Sequence, residues 1–146
     1  QMIWQTGKFF EAEAVQIINE LTWKNCHVTA FIDRMDLAYA AADFVVSRAG
    51  AMAISELAVV QKAVIFVPLP TAAEDHPTSN AKRLNKVGAA EIIINSKADS
   101  ELVPAMMALA ANESKRLQMS RAIAAFALPD ADEAIVDEIE KILDSR

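Results

Sequence analysis

The ten residues S-R-A-G-A-M-A-I-S-E, at 47–56, combine side chains able to hold an anion and a sugar side by side. Gly50 is the only glycine between Gly7 and Gly88. The apolar run Phe44-Val45-Val46 precedes it and an Ala-rich apolar segment follows, which reads as a strand, a small-residue turn and a helix start. The first turn of a helix carries unpaired N–H groups and a partial positive charge, and small residues let a phosphate approach them. Arg48 and Gly50 are candidate phosphate contacts in that turn. Glu56 lies about one and a half turns further on, at ~3.6 residues per turn. A carboxylate there is poorly placed to bind phosphate and well placed to accept hydrogen bonds from neighbouring sugar hydroxyls. A nucleoside diphosphate or a nucleotide sugar meets both demands.

The elements that must position these residues follow from the apolar pattern. Short β-rich or apolar runs at 2–4, 27–32, 43–46, 63–67 and 90–94 predict strands. Between and after them, 9–21, 35–42, 51–60, 78–87, 99–112, 113–127 and 131–144 predict helices. Pro68 and Pro70 stop the fourth strand, 71–77 reads as a polar loop, and Gly88 as a helix C-terminal cap. The alternation predicts an α/β fold, a Rossmann-like parallel sheet with helices on both faces, and one domain over 1–146. Ligands in such folds bind beyond the carboxyl ends of the strands. That rule selects the loops 5–8, 32–36, 47–52 and 68–78. The stripe Ile135, Ile139, Ile142 and Leu143 fits either core packing or docking on a partner domain.

Composition narrows the function classes. The chain has 146 residues, 53% of them hydrophobic and 23% charged, as expected of one globular domain. A net charge of -6 leaves no basic excess for nucleic acid, although a small phosphorylated ligand needs only local donors. The single cysteine, Cys26, rules out an internal disulfide, fits a reducing compartment, and reads as a small core or surface residue rather than a nucleophile. No apolar run approaches the ~20 residues of a membrane span. No signal peptide is evident, and a first residue other than Met leads us to expect a processed protein or a fragment of a longer one.

Six segments occur in an order that resembles the MurG family of bacterial glycosyltransferases. They are W-Q-T-G-K (4–8), V-T-A-F-I-D-R-M (28–35), A-D-F-V-V-S-R-A-G-A-M-A-I-S-E (42–56), F-V-P (66–68), E-D-H-P-T-S-N-A (74–81) and K-V-G-A-A (86–90). The resemblance implies a GT-B enzyme that moves N-acetylglucosamine from UDP-GlcNAc to lipid I, giving lipid II for peptidoglycan. It implies that this chain is most of the C-terminal, nucleotide-sugar-binding half. The N-terminal domain, with the acceptor site, the membrane-facing patch and the general base, would then lie outside it, as would the Gly-Gly-Ser loop that opens this half. No catalytic residue is therefore expected here, and no cofactor or metal beyond the donor UDP-GlcNAc. The intact enzyme would sit peripherally on the cytoplasmic face of the inner membrane, while this piece alone would be soluble, inactive and a weak binder of UDP.

Residue by residue, the resemblance implies that Ile32 holds uracil through its backbone. Ala51, Met52, Ala53 and Ile54 form the helix start near the phosphates, and Ser55 and Glu56 complete the nucleotide contacts, Glu56 on the ribose hydroxyls. His76 and Asn80 belong to the loop facing the GlcNAc ring, where Pro77 stands in place of the family's usual Gln. Trp4 replaces a more usual His.

Plainer readings stand beside these. Glu56 is otherwise a solvated helix residue, Gly50 a turn residue, and Arg48 a structural salt-bridge partner as readily as a phosphate ligand. Lys8 follows Thr6-Gly7 without the rest of a phosphate-loop pattern. Two distant histidines give no metal constellation, and Ser47 and Ser55 lack a histidine at triad-like spacing. Two other functions remain open: a stand-alone catalytic subunit of another GT-B N-acetylglucosaminyltransferase, and a non-enzymatic α/β nucleotide-binding module. Asp33, Asp36 and Asp43 near strand ends favour the latter.

Overall fold

A computed structural model describes residues 1–69 and 76–144, with backbone alone for 76–80. These residues form two compact units, Gln1–Ala42 and Asp43–Arg146.

The first unit runs β1 (Met2–Gln5), α1 (Glu11–Glu20), β2 (Cys26–Thr29), α2 (Met35–Ala41). β1 and β2 pair in parallel, from Met2 opposite Cys26 to Gln5 opposite Thr29, so α1 is the crossover a parallel pair requires. Glu11 and Glu13 occupy the first turn of α1, where a negative charge complements the helix dipole. Trp4 meets Phe10 edge to face, with ring centroids 5.9 Å apart.

The second unit runs β3 (Phe44–Ser47), α3 (Ala51–Val59), β4 (Ala63–Phe66), α4 (His76–Lys86), β5 (Glu91–Ile92), a short 3-10 turn (Asn95–Lys97), then α5 (Ala98–Ala111), α6 (Glu113–Ala124) and α7 (Ala131–Asp144). The three strands pair in parallel in the order β3-β4-β5. The central strand β4 is buried at every position, as its unbroken apolar run predicts for a strand covered on both faces. Ala63, Ile65 and Val67 pack with Ile93, Leu109 of α5 and Met119 of α6, while Val64 and Phe66 between them are equally buried.

The parallel α/β architecture expected from the alternation is present in both units. β5 is shorter than the predicted 90–94. The Asn85 side-chain amide donates to the Ala90 carbonyl (3.0 Å), Glu91 and Ile92 pair with β4, and the Ile93 N–H makes the last bond to β4, at the Phe66 carbonyl (2.9 Å), before Ile94 turns out to 59% exposure. α4 starts at His76, two residues early, because Pro77 falls in a first turn where no N–H is needed. The polar loop expected at 71–77 lies outside the described residues up to 75. No residue of α7 is buried, and Ile135, Ile139, Ile142 and Leu143 are all more than half exposed, so the stripe is not core packing.

Gly88 caps α4 as predicted. Its φ is +72°, its N–H donates to Asn85, and the Ala89 N–H reaches back to Leu84 (2.9 Å), the two bonds of a Schellman motif. α1 and α3 end the same way without glycine, at Thr22 (φ +52°) and Gln61 (φ +53°). Among the described residues, no helix is long and apolar enough to cross a membrane.

Candidate nucleotide-binding site

The start of α3 is built from the turn that follows β3. Ser47 ends the strand, Ala49 turns inward and is buried, and Gly50 is the N-cap with φ -72° and ψ 152°. That backbone suits any residue, and a Cβ at Gly50 would meet nothing within 4 Å. Neither strain nor local packing calls for glycine here. A Ser, Thr, Asp or Asn at this position would fold its side chain over the first N–H groups of the helix. Gly50 leaves that space open. The first bond of α3 runs from the Ile54 N–H to the Gly50 carbonyl (3.0 Å), so the N–H groups of Ala51, Met52 and Ala53 precede the helical ladder. No acidic side chain lies in this first turn.

The helix then sorts the sequence-predicted residues into two sets. Ala51, Met52, Ser55 and Glu56 are exposed and share one face, at the i, i+3, i+4 spacing of helical neighbours. Ala53 and Ile54 are partly buried, next to the buried pair Leu57 and Ala58. Ile54 has its N–H committed to Gly50, so it has no backbone donor left for a phosphate. Ala53 keeps a main-chain N–H to offer.

Arg48 does structural work in this fold. Its Nη1 donates to the Val67 carbonyl (3.0 Å) and to Asn95 Oδ1 (2.5 Å). The partners are a carbonyl and an amide, not the carboxylate a salt bridge requires. Asn95 is a residue that sequence reasoning missed. It follows β5, and the rule that selected four strand-end loops would have found it had it been applied to the fifth strand.

Ile32 lies in the first unit, in the loop after β2. Its N–H donates to Gln5 Oε1 (3.0 Å). The Ala30 N–H of the same loop donates to Glu11 Oε1 (2.8 Å), and Thr29 Oγ1 donates to the Phe31 carbonyl (2.8 Å). Gln5 and Glu11 are thus the side chains that shape this loop. Gln5 stood in the quoted W-Q-T-G-K segment, whose spacing gave it no role. Arg34 and Asp36 form a two-bond ion pair at 2.9 and 2.6 Å. The guanidinium holds the Asp36 carboxyl below the usual carboxylate range. Partial burial pushes the Cys26 thiol up, away from the thiolate form. The side chains of His76, Pro77 and Asn80 lie outside the described residues. Among the described residues, no group of three or more His, Cys, Asp or Glu is placed to hold a metal ion.

A parallel α/β unit with an open helix start at the carboxyl end of its first strand is an architecture able to receive a phosphorylated ligand. The chain belongs to the glycosyltransferase family 28 C-terminal domain, which matches residues 1–135. It is 44% identical over its whole length to the UDP-N-acetylglucosamine--N-acetylmuramyl-(pentapeptide) pyrophosphoryl-undecaprenol N-acetylglucosamine transferase of Flavobacterium psychrophilum, covering 39% of that protein. The enzyme of the same name from Parabacteroides distasonis is 40% identical, again over the whole chain and 40% of the relative. The crystal structure of Acinetobacter baumannii MurG matches with a TM-score of 0.83 and 35% identity, over 95% of this chain and 40% of that one. The chain spans about two fifths of the length of the curated relatives it matches.

Proposed function

We propose that this chain is the donor-binding part of an inverting hexosyltransferase that moves N-acetylglucosamine from UDP-GlcNAc to lipid I, forming lipid II in peptidoglycan synthesis. The observation that carries the reading is the uncapped start of α3 beside an exposed face bearing Ser55 and Glu56. The diphosphate is assigned to the N–H groups of Ala51, Met52 and Ala53, reached across the side-chain-free Gly50. The ribose is assigned to Glu56, with Ser55 beside it. A carboxylate facing a vicinal diol makes two charge-assisted hydrogen bonds, each stronger than a neutral one. For Ile32 we propose a backbone contact to uracil. With the N–H given to Gln5, the group it has to offer is its carbonyl. His76 and Asn80 are proposed to face the sugar.

In this reading the acceptor hydroxyl displaces UDP at the anomeric carbon with inversion. Negative charge grows on the departing diphosphate as the bond breaks. N–H dipoles already aimed at that charge stabilise it without reorganising, and the bound geometry aligns donor and acceptor. The donor is the only small molecule assigned to the chain, with no cofactor or metal of its own. The acceptor site and general base are assigned to the rest of the intact enzyme, held peripherally on the cytoplasmic face of the inner membrane.

The test is glycosyl transfer by the intact protein, with UDP-GlcNAc and a lipid I analogue. Formation of the disaccharide product with release of UDP, lost on Glu56→Ala, is the expected result. An intact protein that binds other nucleotides as well as UDP, and transfers nothing, would overturn the assignment.

A further inference from the structure

We propose that Arg48 and Asn95 form a positioning pair that fixes the turn leading into α3, and that donor affinity depends on Asn95 through this pair. The inference rests on the proposed diphosphate site and extends it to a residue outside that site. Three strand ends meet at one nitrogen. Arg48 follows β3 directly, Val67 follows β4 directly, and Asn95 stands three residues beyond the end of β5. Arg48 Nη1 carries two hydrogens, and both are used, one on the Val67 carbonyl and one on Asn95 Oδ1. Two backbone bonds carry the strand pairing up to this point, Val67 N–H to Ser47 and Ile93 N–H to Phe66, each at 2.9 Å.

Residues 48–50 are the whole connection between β3 and α3. Ala49 anchors its middle by burial, and Gly50 at its end has no side chain to hold it. The Ser47 hydroxyl bonds only the adjacent Arg48 carbonyl (3.1 Å), so the guanidinium of Arg48 is the polar anchor that ties this turn to the ends of β4 and β5, ahead of the N–H groups of Ala51, Met52 and Ala53. Asn95 orients that guanidinium. A hydrogen bond in which one partner is charged is worth more than a neutral one.

The experiment uses the intact protein with Asn95→Ala and Asn95→Asp. Amide hydrogen exchange is measured without ligand, and binding of UDP and of uridine by calorimetry. We expect Asn95→Ala to speed exchange at Ala49 and Ile54 and to weaken UDP by about tenfold, the effect of losing one charged hydrogen bond, while uridine binding is unchanged. Asn95→Asp keeps an acceptor for Arg48 and is expected to restore both readouts. Unchanged exchange at Ala49 and Ile54 would overturn the pair as a positioning device, whatever happens to binding. Faster exchange with UDP affinity intact would overturn its link to the donor. A wild-type protein that binds no UDP would refute the donor site and the inference with it, and the exchange data would still report on the pair.

Discussion

Met52 and Glu56 stand one helical turn apart on the same exposed face of α3, one at its second residue and the other a turn deeper. This spacing lets one short helix address two parts of one ligand. The open N–H groups lie at the helix end, and the carboxylate lies along its side, away from the charge that the end attracts. Were Glu56 in the first turn, it would compete with a phosphate for the helix dipole.

Gly50→Asp separates stability from binding. An aspartate at the N-cap accepts from the first N–H groups and complements the dipole, so thermal unfolding should show a gain of roughly 0.3–1 kcal/mol. The same carboxylate occupies the donors assigned to the diphosphate and repels it. UDP affinity should fall by about tenfold or more while the protein becomes more stable, a combination that a merely structural turn does not produce.

Glu56→Ala should weaken UDP binding by roughly 1.5–3 kcal/mol for each charged hydrogen bond lost to the ribose. Calorimetry with 2′-deoxy-UDP checks the partner. The wild-type protein should prefer UDP over the deoxy analogue, and the variant should bind both alike. A variant that keeps the full preference would place the ribose elsewhere.

Gln61→Gly acts on the frame alone. Gln61 holds φ +53° to close α3, a conformation that costs a non-glycine residue about 1 kcal/mol or more. Glycine adopts it freely and loses part of the gain to unfolded-state entropy, leaving roughly 0.5–1 kcal/mol of added stability in a denaturant titration. The Ser120 hydroxyl bonds the carbonyl of residue 61, which the substitution keeps. Nucleotide binding should not change.

Among the described residues, the Arg34–Asp36 pair gives a clear pH signature. Because the folded Asp36 carboxyl titrates below its unfolded value, its stabilising effect is complete above the ordinary carboxylate range and is lost as pH falls through the lowered value. Both side chains are well exposed, so the effect on global stability is small. The sharper readout is the carboxyl resonance of Asp36 in an NMR titration. Arg34→Ala should move its midpoint up, toward an ordinary aspartate.

Much of the fold was legible in the chain because the apolar runs are short and cleanly bounded. The uninterrupted run at 63–67, stopped by Pro68, reads as a strand buried on both faces, and Gly88 marked a helix end that its positive φ explains. The strand at 90–94 was overestimated because a side-chain bond from Asn85 to Ala90 leaves no trace in hydropathy. The candidate site was legible where the backbone makes it, at residues 50–56, since a glycine between a strand and a helix is a local signal. It was not legible where distant side chains meet. Arg48 and Asn95 are 47 residues apart, and Gln5 and Ile32 are 27 apart, contacts that only the parallel register creates. The open alternatives for Arg48, phosphate ligand or structural salt-bridge partner, omitted the carbonyl and amide it holds.

The central claim is that the three free N–H groups opening α3 receive a diphosphate. The most direct measurement is an NMR titration of the intact protein, labelled on the backbone nitrogens, with UDP and then with uridine. UDP should shift the amides of Ala51, Met52 and Ala53 saturably, and uridine should leave them in place. Saturable UDP binding that does not move those three amides would contradict the account.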